Sequence, residues 1–165
     1  MVSVSYAQET PPSADEIMAK AIKQAKKEQK DIFLMFHASW CGWCKRMDAA
    51  MQDDSCKDYF NNNFVAIHMV VKESAANKNL ENPGAAEFLA KYKGDKSGIP
   101  FWLIFDKKGE MIADCFMGEE GSTSIIGCPA SEEEVKLFIE RLKDAGPVTA
   151  NEEKAITARF RQNAN

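Results

Sequence analysis

The sequence predicts an α/β domain: a central mixed sheet flanked by helices. Three features carry that expectation. The runs "DIFLMFH", "FVAIHMVV" and "PFWLIFD" are apolar and of strand length. Amphipathic stretches of helical spacing separate the first of them from the others. The last two apolar runs, "PFWLIFD" and "MIADCFM", are parted only by "KKGE", a hairpin signal with Gly109 in the turn, so that pair should be antiparallel.

In order along the chain, Ser13 followed by Glu16 forms a capping box, and the apolar spacing beyond it supports a helix to about Lys30. Ile17, Met18, Ala21, Ile22 and Ala25 share one side of that helix, which leaves its lysines as a solvated face. "DIFLMFH" has the unbroken apolar character of a strand covered on both faces in a parallel-type sheet. "GWCKRMDAAMQD" contains good helix formers and no proline, so a helix should begin at Cys41. "CKDYFNNN" reads as a short helix, and "FVAIHMVV" as the second strand, β-branched or aromatic at five of eight positions. The looser "KESAANKNLENPG" leads to a brief helix in "AAEFLAKYKG". After the hairpin comes a long Gly-rich loop, "GEEGSTSIIGCPA". Ser131 and Glu134 then cap the last main helix, which Gly146 stops.

The domain boundaries that follow are 1–12 for a disordered N-terminus or signal remnant, 13–146 for the domain, and 147–165 for a C-terminal tail or short peripheral helix. "MVSVSYAQ" ends in small residues and resembles the end of a trimmed secretory signal; a plain disordered cytosolic N-terminus is the other reading. No window approaches the roughly 18 apolar residues that span a bilayer. The 25 acidic and 21 basic residues are interspersed, with a net charge of -4, which argues against nucleic acid as a partner. Five cysteines are an odd number, so at least one thiol stays single in a monomer and a disulfide-stapled scaffold is disfavoured.

The chemistry gathers at "HASWCGWCKRMD", His37 to Asp48, where Cys41 and Cys44 stand three apart, each after a tryptophan. A thiolate rather than a thiol attacks a disulfide, so the attacking cysteine needs a pKa below the usual value of about 8.5. A helix N-terminus supplies this through unpaired N–H groups and the macrodipole. Cys41 is therefore expected as an exposed attacking sulfur and Cys44, one turn inside, as a shielded resolving one.

This motif, set after a buried strand, resembles the "WCGPCK" of the thioredoxin family. "NPGAAEFLAKYKGDKSGIPFWLIFDKKGE" is similar to the family's segment around a Gly-Ile-Pro before a strand, and the resemblance spans about residues 31 to 144. It implies a thioredoxin fold with an extra N-terminal helix and a C-terminal tail, and a redox-active C-x-x-C. Pro100 would carry the family's cis peptide bond beside the cysteines and present the Ile99 backbone to a substrate. An Ile-Pro bond costs only about 0.5 to 1 kcal/mol to hold cis; a trans proline opening a strand is the alternative. Trp40, Gly42, Trp43, Ile99 and Pro100 would form the substrate groove, although a tryptophan at 40 also serves as core filler.

Two departures stand out. Met35 occupies the place of the family's buried aspartate, and His68 that of a nearby lysine. His68, with an unperturbed pKa of about 6.5, could partly shuttle protons for the resolving cysteine, or be a core histidine with a hydrogen-bonded ring. Trp43 replaces a proline and sets a large ring between the cysteines, to flank a groove or cover the helix start. His37 could tune the thiolate or simply pack, and Lys45 could add positive field near Cys44 or be solvated. "FHASWCGWCKRMD" with "SCKDYFNNNFVAIHM" is similar to a thioredoxin-like subgroup with exported bacterial members, which favours a periplasmic or otherwise exported setting over a cytoplasmic one.

Cys56, Cys115 and Cys128 match no redox position of the family. Cys115 reads as a buried thiol in a strand and Cys128 as a more exposed one in the long loop. The expected activity is thiol-disulfide exchange with disulfide- or thiol-containing proteins, fed by an upstream electron donor and needing no cofactor. Reductant is favoured because no histidine lies between the cysteines to stabilise Cys41. A noncatalytic thioredoxin-fold adaptor is the alternative, followed by a zinc module using the cysteine pair, for which no second paired motif supplies ligands.

Overall fold

The computed structural model describes residues 10–118 and 122–165. The signal-like residues 1–8 and part of the Gly-rich loop, 119–121, lie outside them. Helix α1, Ala14–Glu28, starts at the Ser13 capping box, and α5, Glu132–Ala145, at the Ser131 box. Between them run β1 (Asp31–His37), α2 (Gly42–Met51), α3 (Lys57–Asn63), β2 (Phe64–Val70), α4 (Ala85–Lys91), β3 (Phe101–Phe105) and β4 (Met111–Asp114). The loose stretch after β2 contains one 3-10 segment, Ala75–Leu80.

The four strands form one sheet in the order β2-β1-β3-β4. β1 and β2 are parallel, with Met35 opposite His68 and His37 opposite Val70. β3 is antiparallel to both β1 and β4, so the sheet is mixed. Gly109, at φ 91, makes the β3–β4 turn in backbone that a side chain would strain.

Alternation along β1 and β3 sorts their side chains between two layers. On one face Phe33 stacks on Trp102 and meets Phe64 and Phe138 edge-on, while Phe60 and Phe160 close the same aromatic cluster. On the other, Phe36 and Phe105 pack against Phe88 of α4. α1 sits beside α4, its Ala14 N–H donating to the Pro83 carbonyl at 2.8 Å. Phe33, Phe36, Trp102, Phe105 and Phe138 are essentially inaccessible to solvent. Each contributes on the order of 1.5–3 kcal/mol of transfer free energy.

The segment from Pro147, read from sequence as a tail or peripheral helix, forms helix α6, Ala150–Arg161, with a Thr149–Glu152 capping box. Ile156 and Phe160 are fully buried, so this helix completes the core over α3 and α5. Its polar composition hid two apolar residues four apart, enough to anchor one face.

Candidate active site

β1 carries the chain into the turn Ala38–Trp40, and Cys41 follows as the N-cap of α2. A helix N-cap normally offers a side-chain oxygen to the first-turn N–H groups. Here the Cys41 sulfur takes that role and accepts from the Cys44 N–H at 3.1 Å. Cys41 and Cys44 are joined as a disulfide, Cα atoms 5.3 Å apart. When the bond is reduced, that N–H and the positive end of α2 act on whatever charge forms at Cys41.

The expected contrast between an exposed and a shielded sulfur is corrected: Cys41 is 3% exposed and Cys44 1%. The Cys41 side chain folds inward over the helix start to reach the Cys44 N–H. The flanking tryptophans take the outer positions instead, Trp40 at 60% and Trp43 at 48% exposure.

Two residues that sequence reasoning passed over hold the turn in place. Glu73, 5% exposed, accepts from Ser39 N–H at 2.5 Å and from the Ser39 hydroxyl at 2.8 Å, one carboxylate oxygen for each. Lys72, in left-handed backbone at φ 55, accepts the Trp40 indole N–H on its carbonyl at 2.9 Å. Its ammonium donates to the carbonyls of Asp95, at 3.1 Å, and Ser97. One dipeptide thus ties the turn before Cys41 to the loop that precedes Pro100. In sequence, "KES" only opens the looser stretch after the second strand. The available signal was topological: parallel strands in register bring the residues just beyond β2 beside those just beyond β1.

The Ile99–Pro100 peptide is cis. Ile99, Pro100 and Trp43 line a groove of about 320 Å³ whose far wall is the loop segment Ile125–Cys128 with Ala130. Trp40 lies outside that lining, held by Lys72, and Gly42 is an exposed first residue of α2. Neither Cys41 nor Cys44 lines this groove, which reaches the pair through Trp43, the residue before Cys44; a larger hollow, about 710 Å³ between Tyr92, Lys96, Phe116 and Arg141, includes no residue of the motif.

His68 stands on the edge strand, opposite the buried Met35, and is exposed rather than a core histidine. Its Nε2 lies 2.8 Å from Asp48 Oδ1, and its ring meets that of His37 edge-on at 5.1 Å between centroids. His37 is half-buried, and its pKa is held below the ordinary histidine value, first by burial and then by the charge of His68; Asp48 and Glu73 oppose the shift. Lys45 is exposed on α2.

The other three cysteines are free and buried. Cys128, read from sequence as more exposed, is 7% exposed, because the loop folds back into the groove wall. Burial pushes its thiol up to about 12, and pushes Cys56 and Cys115 upward as well. None of the three offers a ready nucleophile.

Comparison with known proteins bears on the family and the fold. The sequence profile of a family described as thioredoxin-like matches residues 15–107. A disulphide isomerase from Xylella fastidiosa Temecula1 shares the fold over 100% of both chains, with a TM-score of 0.53 and 16% identity. The C-terminal domain of DsbD from Neisseria meningitidis, in the oxidised form, aligns at a TM-score of 0.49 and 18% identity over 83% of this chain and 99% of its own. No curated protein matches the chain.

Proposed function

The chain belongs to the thioredoxin-like family, and with its C-x-x-C pair closed as a disulfide it is a thiol-disulfide oxidoreductase of that fold; we propose that it acts on protein substrates, as a reductant. Cys41 is the nucleophile. Its thiolate attacks one sulfur of a substrate disulfide, forming a mixed disulfide and releasing the other substrate sulfur as a thiolate. Cys44 then attacks Cys41 Sγ, frees the second substrate thiol and closes the Cys41–Cys44 bond. Two electrons and two protons from an upstream donor restore the dithiol.

The observation that carries this reading is the Cys41 sulfur capping α2, the helix whose first turn sets Trp43 into the groove lined by Ile99 and Pro100. A substrate strand would lie in that groove, with Trp40 and Gly42 at its edge. His68, His37 and Lys45 are assigned to tuning the pair rather than to bond exchange. The direction follows from what separates the cysteines. Gly42 and Trp43 bring no charge, so the reduced form gains less than in strong oxidants, and the disulfide is comparatively favoured.

No helix of the described residues is long and apolar enough to cross a membrane. An exported setting rests on the subgroup resemblance of the cysteine motif and is tested by fractionating producing cells.

The deciding experiment is the equilibrium potential of the Cys41/Cys44 pair across graded thiol/disulfide buffers. A value between about -270 and -200 mV supports a reductant, one near -120 mV an oxidant, and the absence of a reversible transition removes the enzymatic reading.

A further inference from the structure

The groove beside the dithiol has two walls from distant parts of the chain: Trp43 of α2 on one side, and the segment Ile125–Cys128 with Ala130 on the other. Both are reached by one residue near the C-terminus, Asn163, which is 5% exposed. On the α2 side, the Arg46 guanidinium lies over the Trp43 ring, 4.7 Å from its centroid, and its Nη1 donates to the Asn163 carbonyl at 3.1 Å. On the loop side, Asn163 Nδ2 donates to the Pro129 carbonyl at 3.0 Å and to Cys128 Sγ at 3.4 Å. The remaining side-chain atom, Oδ1, accepts from Arg159 Nη1 at 3.2 Å, and Arg159 Nε is bonded to Asp53 Oδ2 at 2.8 Å, two residues past the end of α2.

We propose that Asn163 is a positioning residue that fixes the spacing of the two groove walls, and so selects polypeptide disulfides as substrates of the exchange proposed above. The amide has both polar atoms engaged in a buried setting, where each hydrogen bond is strengthened and each unmade one is costly. It bridges two walls that share no strand pairing. A small disulfide needs only to reach Cys41 Sγ. A polypeptide must also lay its backbone between Trp43 and Ile126, and therefore feels the spacing.

The test compares two probes, insulin as a polypeptide disulfide and hydroxyethyl disulfide as a small one, with dithiothreitol as the electron source. Asn163→Leu keeps the volume and removes every side-chain hydrogen bond. The ratio of the insulin rate to the hydroxyethyl disulfide rate should fall about fivefold, the weight of one buried hydrogen bond, with the loss residing in KM. Arg46→Gln cuts the link from the other end and should lower the same ratio, and if Asn163→Leu does not fold, Asn163→Asp, which keeps an acceptor for Arg159 and loses donation to Pro129 and Cys128, carries the test. A ratio equal to that of the unaltered chain, or both rates falling in step, overturns the role of Asn163. Failure of the unaltered chain on both probes instead overturns the reductase reading on which this role rests.

Discussion

His68 Nε2 lies 2.8 Å from Asp48 Oδ1, and Asp48 stands one helical turn beyond Cys44 on α2. The site therefore has an imidazole–carboxylate pair on the resolving cysteine's side of the helix, while the adjoining β1 position, opposite His68, is Met35. The proposed tuning of the pair by His68 would act through this contact on Cys44 as it becomes a nucleophile. His68→Gln should change the pH profile of disulfide exchange and slow it several-fold at neutral pH, and Asp48→Asn should do the same by releasing the ring. Stopped-flow rates from about pH 6 to 8 read this out. An unchanged profile in both variants removes the histidine from the proton path.

His37 makes folding itself sensitive to acid. Burial, then the neighbouring His68, lowers its folded pKa, so below the unfolded value of about 6.5 the unfolded chain binds a proton that the folded one refuses. The sign is a loss of stability as pH falls from there towards the lowered folded value, with no contribution above neutrality. Urea midpoints at pH 7.5 and 5.5 should differ more for the unaltered chain than for His37→Phe. Equal differences would show that His37 does not link folding to pH.

Glu73 is the buried acceptor that shapes the turn before Cys41. Removing it in Glu73→Ala leaves the Ser39 N–H and hydroxyl without their partner, a loss of about 1–3 kcal/mol by urea unfolding. Exchange should slow as well, since Ser39 and Trp40 set where α2 begins. Glu73→Gln should fall between the unaltered chain and Glu73→Ala, because its amide oxygen can still accept from the Ser39 N–H and its amide nitrogen can donate to the Ser39 hydroxyl oxygen, but neither bond keeps the carboxylate's charge. A stability within about 0.5 kcal/mol of the unaltered chain in Glu73→Ala would place the turn's rigidity elsewhere.

The elements that sequence could place are those whose information is local. Ser13 with Glu16, Ser131 with Glu134, and the unbroken run of β1 each carry their signal within a few residues, and their observed bounds follow it. The cysteine pair is likewise local, and so is its position at a helix start. What was not legible depends on contacts between segments distant in the chain. Glu73 meets Ser39 only because β1 and β2 are parallel and in register. Cys41 is buried where the turn meets the start of α2, and Cys128 where its loop meets Asn163, thirty-five residues later. The burial of α6 was not legible, and the segment read as a tail or peripheral helix, because two buried residues in a polar helix give little periodicity, although Phe160 belongs to an aromatic cluster.

That cluster makes α6 part of the cooperative unit. Phe160 packs on Phe138 at 5.0 Å and on Phe60 at 6.1 Å between centroids and is 0% exposed. Phe160→Ala should cost about 3–5 kcal/mol, the range for a buried aromatic whose cavity cannot collapse. Urea unfolding followed by tryptophan fluorescence measures it, since Trp102 lies in the same cluster. A cost below about 1 kcal/mol would mean that α6 is peripheral after all.

Cys128 lines the groove, yet it should behave as an inert thiol. Burial holds its pKa at about 12, against a smaller opposing pull from Arg46. Near neutral pH that leaves very little thiolate, and the thiolate is the reactive form. Iodoacetamide on the folded, oxidised protein should therefore label Cys128, Cys115 and Cys56 slowly, and all three should react once urea exposes them. After reduction Cys41 should be alkylated first, because the Cys44 N–H and the start of α2 favour its anion. Rapid labelling of Cys128 in the folded protein would show that the wall it shares with Pro129 opens in solution. It would then compete with Cys44 for the mixed disulfide at Cys41, and Cys128→Ala would sharpen product release instead of leaving it unchanged.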